Sequence, residues 1–397
     1  MKIGINAISI RKGGGVVVLG RLLSNFVRLH PEHQYFLTAS EALAADVIPQ
    51  SPAVTVRWFP EAKRSYTRMI AWHLVTLPAL LEREQIDVFF SFTPYLPGRS
   101  RRISAVLVQD ANYFSDEPGL WDNLTRREQT IMRLKQLWTY RTVRIADRIT
   151  VQTQVMSKAI ASRIPSARER ISVIPHGPGF LEDVQCAGPR RARRTSEVLE
   201  ICYVAIYRNH KNFRVLLDAL RILKRRGIPA RLHLTLGEQE GRDVLRLMAY
   251  AGEIGAVDMI VNHGELSYDG VSRLYRSVDV LVHPSVCESF GFAQIEAMAF
   301  GLPVLASDTS VHREVCARAA RYFPPHDAHA LALLLEDLYG RPEERTHSSN
   351  LSLRRARDFS WEASAESTLR WLCGSEGGAS CAESDAHSNQ LSLQPYE

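Results

Sequence analysis

Nowhere in these 397 residues is there an apolar run of about 18 residues, the length that could span a bilayer. That excludes a chain built around membrane-spanning helices. The opening MKIGINAISI carries one lysine and then alternates like a strand, lacking the long apolar core and small-residue cleavage site of a signal peptide, so the expected location is the cytoplasm. The six cysteines, Cys186, Cys202, Cys287, Cys316, Cys373 and Cys381, have no CxxC or other metal-type spacing, which argues against a disulfide framework or a zinc site. There is no Asp-x-Asp pair, hence no obvious carboxylate site for a divalent ion bridging phosphates, and metal-independent chemistry without a cofactor is expected. A recognition helix and an aromatic-basic motif are also lacking. The net charge of +6 therefore points to an anionic small molecule or surface rather than to nucleic acid.

What is present suits two domains: 45% apolar and 23% charged residues on a chain too long for one ordinary core. Short β-rich runs alternate with amphipathic helical segments: KIGIN, then VVVLGRLLSNFVRL; DVFFSF and ISAVLVQ; RITVQ, QVMSKAIASRI and ISVIP. Such alternation predicts an α/β fold with a parallel sheet over 1–180. A Pro/Gly-containing basic segment with RRARR at 190–194 reads as an interdomain linker, 181–196. The alternation restarts with LEICYVA, NFRVLLDALRILKRR, LHLTL, DVLVHP and PVLAS, a second parallel domain over 197–356. Helices near 327–339 and from about Trp361 to Leu372 close the fold, and the polar tail 374–397 lacks core-forming residues and is expected to be disordered. Ligands bind beyond the carboxyl ends of parallel strands, so the site is expected between the two domains.

The segment ESFGFAQIE, Glu288 to Glu296, follows the strand-like DVLVHPS. Glu288 stands at the strand's carboxyl end, placed for binding; a solvated loop acid is the plain alternative. Glu296 falls on the helical arc of Phe292, Ile295, Ala299 and Phe300, where a carboxylate needs hydrogen-bonding partners. A vicinal diol of a sugar or ribose would supply two; an internal ion pair with an arginine explains the position as well. Gly291 allows backbone amides to approach a ligand, and the following helix N-terminus favours a diphosphate. In YRNHKNFRVLL, Arg208, His210 and Lys211 lie between a strand and a helix, either a phosphate-binding arrangement or an exposed basic turn.

Together IPHG at 174–177, HKN at 210–212, the run from HGELSYDG through ESFGFAQIEAMAFGLPVLASD, and FSWEASAESTLRWL resemble retaining nucleotide-sugar glycosyltransferases of family 4. The resemblance implies the GT-B architecture, two Rossmann-like domains facing across a cleft, with a final helix, 357–373, returning to the first domain. It assigns Glu288, the first acid of an E-x7-E motif, to hydroxyls of the transferred sugar and Glu296 to the nucleotide ribose. Phe290, Gly291 and Phe292 would give backbone contacts to sugar and phosphate, Lys211 would contact the diphosphate, and Arg208 would substitute for an arginine that the family carries nearer the strand. Gly177, and Gly14 and Gly15 in RKGGGVVVLGRLL, fall on the donor side. Gln109-Asp110 stands where many members have His-Asp, which leaves Asp110 and Asn112 as acceptor-side candidates.

The implied reaction is transfer of a sugar to an acceptor hydroxyl with retention, by front-face displacement with Lys211 stabilising the leaving diphosphate. The HKN type is similar to bacterial mannosyltransferases of surface polysaccharide or glycolipid synthesis, which suggests GDP-mannose; a UDP-sugar, or a non-catalytic nucleotide-sugar-binding protein of the same fold, are the alternatives. The acceptor would be a glycan or a lipid-diphosphate-linked sugar. Residues 124–148 carry seven basic and two acidic residues among apolar ones. They are either a helix packed on the sheet with a solvated basic face or also a peripheral contact to the anionic inner face of the cell membrane.

Overall fold

The structure is a computed structural model that describes residues 1–10, 13–40, 47–63, 65–98, 102–122, 124–179, 198–237 and 241–374. The expected linker 181–196 and the tail from 375 onward lie outside these residues. Two wholly parallel sheets carry the chain. The first has β1 (Lys2–Asn6), β2 (Gln34–Ala39), β3 (Val54–Trp58), β4 (Val88–Ser91), β5 (Ile103–Leu107), β6 (Arg148–Val151) and β7 (Ile171–Val173), in the order β3-β2-β1-β4-β5-β6-β7. The second has β8 (Leu199–Tyr203), β9 (Ala230–Leu234), β10 (Ile260–Asn262), β11 (Val280–His283), β12 (Val304–Ser307) and β13 (Ala320–Phe323), in the order β10-β9-β8-β11-β12-β13. Both are α/β, Rossmann-like arrangements, as the alternation predicts. The central strands read as unbroken apolar runs because helices cover both faces.

In the first domain those helices are α1 (Gly14–Leu29), α2 (Tyr66–Ala71), which runs through a π-turn at Trp72–Thr76 into α3 (Leu77–Arg83), then α4 (Arg126–Ile145) and α5 (Gln154–Arg163). In the second they are α6 (Phe213–Arg225), α7 (Gly241–Glu253), α8 (Tyr268–Ser277), α9 (Phe292–Ala299), α10 (Ser310–Cys316), α11 (Ala328–Gly340) and α12 (Pro342–Ala356). The last described helix, α13 (Trp361–Cys373), buries Trp361, Ala365, Leu369 and Leu372 in the same core as α1 and β1, so it returns to the first domain. Trp361 is also pinned to the end of the first domain's chain, its Nε1 donating to the Pro178 carbonyl at 2.5 Å.

Five helices have no counterpart in the sequence reading, α2, α3, α7, α10 and α12. The buried face of α12 is Ser348, Ser349, Ser352 and Ala356, with Arg345 paired to Asp279 at 3.6 Å. Small polar side chains let it approach the turn at Gly301, where a Cβ would lie 3.1 Å from the Ser349 hydroxyl. The register of α4 also differs from a helix laid flat on a sheet. Only Thr139, Thr142 and Val143 are buried, while Leu134 and Leu137 are 47% and 62% exposed. A capping box between Thr125 and Glu128 secures its free end.

The domains grip each other at one edge. Glu314 of α10 accepts from the Gln154 and Val155 amides at 2.6 and 2.9 Å, using a carboxylate from one domain to satisfy the helix start of the other. Beside it the Thr153 hydroxyl donates to the Ser289 carbonyl at 3.0 Å.

Candidate active site

The loop after β11 and the loop after β8 leave their strands side by side at the carboxyl ends, and cross-links fix them together. The Val286 amide donates to the His210 carbonyl at 2.8 Å. Asn212, held at φ 50° and ψ 44°, donates to the carbonyls of Pro284 and Pro325. The Tyr203 hydroxyl reaches the Lys211 carbonyl and the Ser285 hydroxyl, both at 3.1 Å.

This brings Lys211 Nζ to 2.6 Å from Glu288 Oε1, with His283 Nε2 at 3.2 Å from the same oxygen. The Glu288 side chain is only 11% exposed, so it is no solvated loop acid. Burial by itself would raise its carboxyl; the Lys211 ammonium, then the His283 hydrogen bond, outweigh that and hold it well below the usual carboxylate range. The surrounding imidazoles go the other way. Burial, with Lys211 adjoining, pushes His210 down to about 4, and burial lowers His283 and takes His312 to about 3. One ion pair therefore sits in a shell of neutral histidines, the His283 and His312 rings crossing at 84°. Arg208 is exposed and donates to the neighbouring Tyr207 carbonyl, at the open side of this pair.

Glu296 lies one helix away, where burial pushes its carboxyl up to about 7 against a single hydrogen bond, from the Tyr275 hydroxyl at 3.2 Å. Among the described residues no arginine pairs with it. Gly179 packs directly on this carboxylate, where a Cβ would collide with Oε1. The α9 start between the two acids requires its glycine twice over: Gly291 has φ 87°, and a Cβ there would meet the Gln294 amide nitrogen at 2.5 Å.

The aromatic residues act as walls. Phe290 is 2% exposed and packs on Phe359, so only its backbone faces the cleft. Phe292 is half-buried, stacks on His176 and faces Gly14 of the first domain, where a Cβ would lie 3.3 Å from its ring. The glycine-rich loop before α1 and the E-x7-E segment thus meet across the cleft. Gly15 packs on Ile10 within its own domain, and Gly177 is buried under Trp361, where a Cβ would meet the Trp361 amide at 2.5 Å. Its glycine is explained by that packing.

From the first domain, Asp110 approaches the same loop. Its carboxyl is raised by burial against the hydrogen bonds that Asn112 donates and, to a smaller extent, the charge of Lys135 on α4. Burial, with Glu288 and Asp110 both near enough to act on it, pushes the Cys287 thiol up to about 12 against a hydrogen bond with Ser115. Gln109 is turned away towards the Phe92 carbonyl. Sequence reasoning missed His283, Tyr275 and Gly179. A histidine closing the apolar run DVLVH was a visible signal for the first; the other two act across long sequence separations and left none.

Comparisons with known proteins bear on this geometry. Residues 12–177 match the family model described as Glycosyltransferase Family 4, and residues 190–351 match Glycosyl transferases group 1. A D-inositol 3-phosphate glycosyltransferase of Paenarthrobacter aurescens is 28% identical over 232 residues, 56% of this chain and 56% of its own. The chain thus spans about half the length of the curated relatives it matches. Among solved structures, sucrose-phosphate synthase from Thermosynechococcus elongatus superposes with a TM-score of 0.72 at 18% identity, covering 93% of this chain and 97% of that one. Anabaena HepE in complex with UDP and glucose gives 0.71 at 16% identity, covering 94% and 99%. These two likenesses establish the GT-B fold. One matched segment falls on each sheet, so both halves of the chain are similar to glycosyltransferases of these two families.

Proposed function

We propose that the chain transfers a sugar from a nucleotide-diphosphate donor to an acceptor hydroxyl with retention of configuration. The observation that carries this reading is the Lys211–Glu288 pair set one short helix away from the proton-holding Glu296. In this reading Lys211 leaves Glu288 for the donor diphosphate, Glu288 turns to the sugar hydroxyls, and Glu296 takes the ribose diol in place of its proton. No side chain stands out as a covalent nucleophile, so the reaction is a front-face displacement through an oxocarbenium-like state. Lys211, the Gly291 backbone and Arg208 stabilise the departing oxygen. Asp110 faces the acceptor.

GDP-mannose is the donor we propose first, in surface polysaccharide or glycolipid synthesis; UDP-sugars, of the kind whose nucleotide the Anabaena protein binds, come second. The test is release of nucleoside diphosphate from a panel of GDP-, UDP- and ADP-sugars, with and without polyprenyl-diphosphate-linked sugar acceptors, run once with excess EDTA. Turnover that depends on one donor and one acceptor and persists in EDTA is expected. No turnover with any donor, or loss in EDTA that magnesium restores, contradicts the reading.

The acceptor's lipid accounts for the projecting half of α4. Leu134 and Leu137 are exposed there, and the His73 and Trp138 rings, 6.1 Å apart, join α4 to the π-turn that exposes Leu74 and Val75 at 47% and 71%. Arg126, Arg127 and Arg133 flank this apolar patch, a combination that suits an anionic bilayer. Each basic residue near such a surface contributes about 1 kcal/mol. Changing these three to glutamine, with Lys135 left because it faces Asp110, should lower partitioning onto anionic vesicles by roughly a hundredfold at low salt. Equal sedimentation of variant and wild type would remove α4 as the contact.

A further inference from the structure

The sequence HPEH at 30–33 lies far from the cleft, at the amino ends of the first sheet, where Gln34 opens β2 opposite Lys2 of β1. The His33 amide closes a turn on the His30 carbonyl at 3.2 Å, with Pro31 in the position where its fixed φ favours the turn. The Tyr35 hydroxyl, donating to the carbonyls of Phe26 and His30, holds that turn against α1. The result is a preorganised group of three metal-ligating side chains: one ligand atom each from His30, Glu32 and His33 lie within 4.8 Å of one another.

The orientation is specific. Glu32 Oε1 is 3.0 Å from His30 Nδ1 and 3.8 Å from His33 Nδ1. His33 Nδ1 is buried and has no hydrogen-bond partner, an arrangement that is unfavourable unless something fills it. The far nitrogens are already engaged. His30 Nε2 is 3.2 Å from a Glu366 oxygen and His33 Nε2 is 3.8 Å from Cys373 Sγ, both on α13. An imidazole whose second nitrogen is held by a carboxylate is the pattern that orients metal-ligating histidines.

We propose that His30 Nδ1, Glu32 Oε1 and His33 Nδ1 bind a zinc-like divalent transition-metal ion, with Glu366 and Cys373 of α13 bracing the two rings. Tetrahedral zinc sets ligand atoms about 3.4 Å apart, so Glu32 Oε1 opens slightly from His30 Nδ1, now at 3.0 Å, closes slightly on His33 Nδ1, now at 3.8 Å, and the widest pair, within 4.8 Å, closes by at most about 1.4 Å. Because the bracing groups belong to the helix that returns from the second domain, the ion staples α13 to the first domain. It lies at the opposite end of the strands from the cleft and takes no part in sugar transfer.

The test uses the full chain, stripped with chelator, dialysed and titrated with Zn2+ by calorimetry, with visible absorption of Co2+-loaded protein as the second readout. The expected result is one ion per chain. Glu32→Gln, at an exposed side chain that leaves folding intact, and His33→Asn should each weaken binding by at least about a hundredfold, and Glu366→Gln by about tenfold. Stripped wild type that takes up no zinc overturns the proposal, as does uptake with equal affinity by wild type and both ligand variants.

Discussion

Glu296→Gln is expected to make the free protein more stable and its donor complex weaker. The carboxyl titrates at about 7 in the native state against 4.5 in the unfolded chain, because burial disfavours the anion and Tyr275 offers only one hydrogen bond. The native state therefore holds the proton more tightly than the unfolded state does. Wild-type stability falls as pH rises from about 4.5 to about 7 and is level above that. At 1.36 kcal/mol per pKa unit the cost is on the order of 3 kcal/mol at pH 8. Glutamine keeps the volume and the bond from Tyr275 and carries no charge. Urea denaturation of both proteins should give a variant more stable than wild type at pH 8, with the gap closing towards pH 5. A variant less stable than wild type at pH 8 would show that the Glu296 carboxylate has native partners that satisfy it. Under the proposed assignment the same substitution removes the anion for the ribose diol and should weaken donor binding by about 1.5–3 kcal/mol. A residue that destabilises its own fold and strengthens a ligand complex is one held for that ligand.

Lys211→Ala should have the largest effect on turnover, a fall of about 10²–10³ in kcat with a smaller change in the donor KM. It removes the Lys211 ammonium bonded to Glu288 and, under the proposed assignment, the charge that meets the leaving diphosphate. It should also destabilise the protein by about 3 kcal/mol, since it leaves a desolvated carboxylate among neutral imidazoles. Glu288 is held below its ordinary range, so the pair's stabilisation is present above the unfolded value of 4.5 and is lost as pH falls through the depressed native value. Wild type and Lys211→Ala should converge in acid. Adding Glu288→Gln to Lys211→Met should recover most of the stability at neutral pH and none of the turnover. A double variant as unstable as the single one would mean that the loss comes from packing rather than from the orphaned charge.

Much of this was legible in the sequence because it is local. KIGIN, ISAVLVQ and DVLVHP are buried strands, and their apolar runs say so; Gly291 and the acids around it sit in one continuous segment. The partners of those acids were legible only in part. Lys211 carries its own signal in the loop after a strand, whereas Tyr275 lies on the inner face of α8, where an aromatic residue reads as core. Helix α12 was invisible for a different reason. Its buried face is serine, so hydrophobic periodicity has nothing to register, and its packing depends on a glycine turn elsewhere. Hydrophobic patterning has the same limit at α4, where an amphipathic sequence suggests a covered face and the structure leaves Leu134 and Leu137 bare.

The division of labour across the cleft is most directly tested by calorimetric titration of two ligands, a nucleoside and its diphosphate, of the base chosen by the donor panel, into wild type, Glu296→Gln and Lys211→Ala. Ribose recognition by Glu296 requires that Glu296→Gln weaken both ligands by a similar factor. Diphosphate recognition by Lys211 requires that Lys211→Ala weaken the diphosphate and leave the nucleoside unchanged. Binding of both ligands to all three proteins with one affinity would contradict the assignment of either residue to the donor.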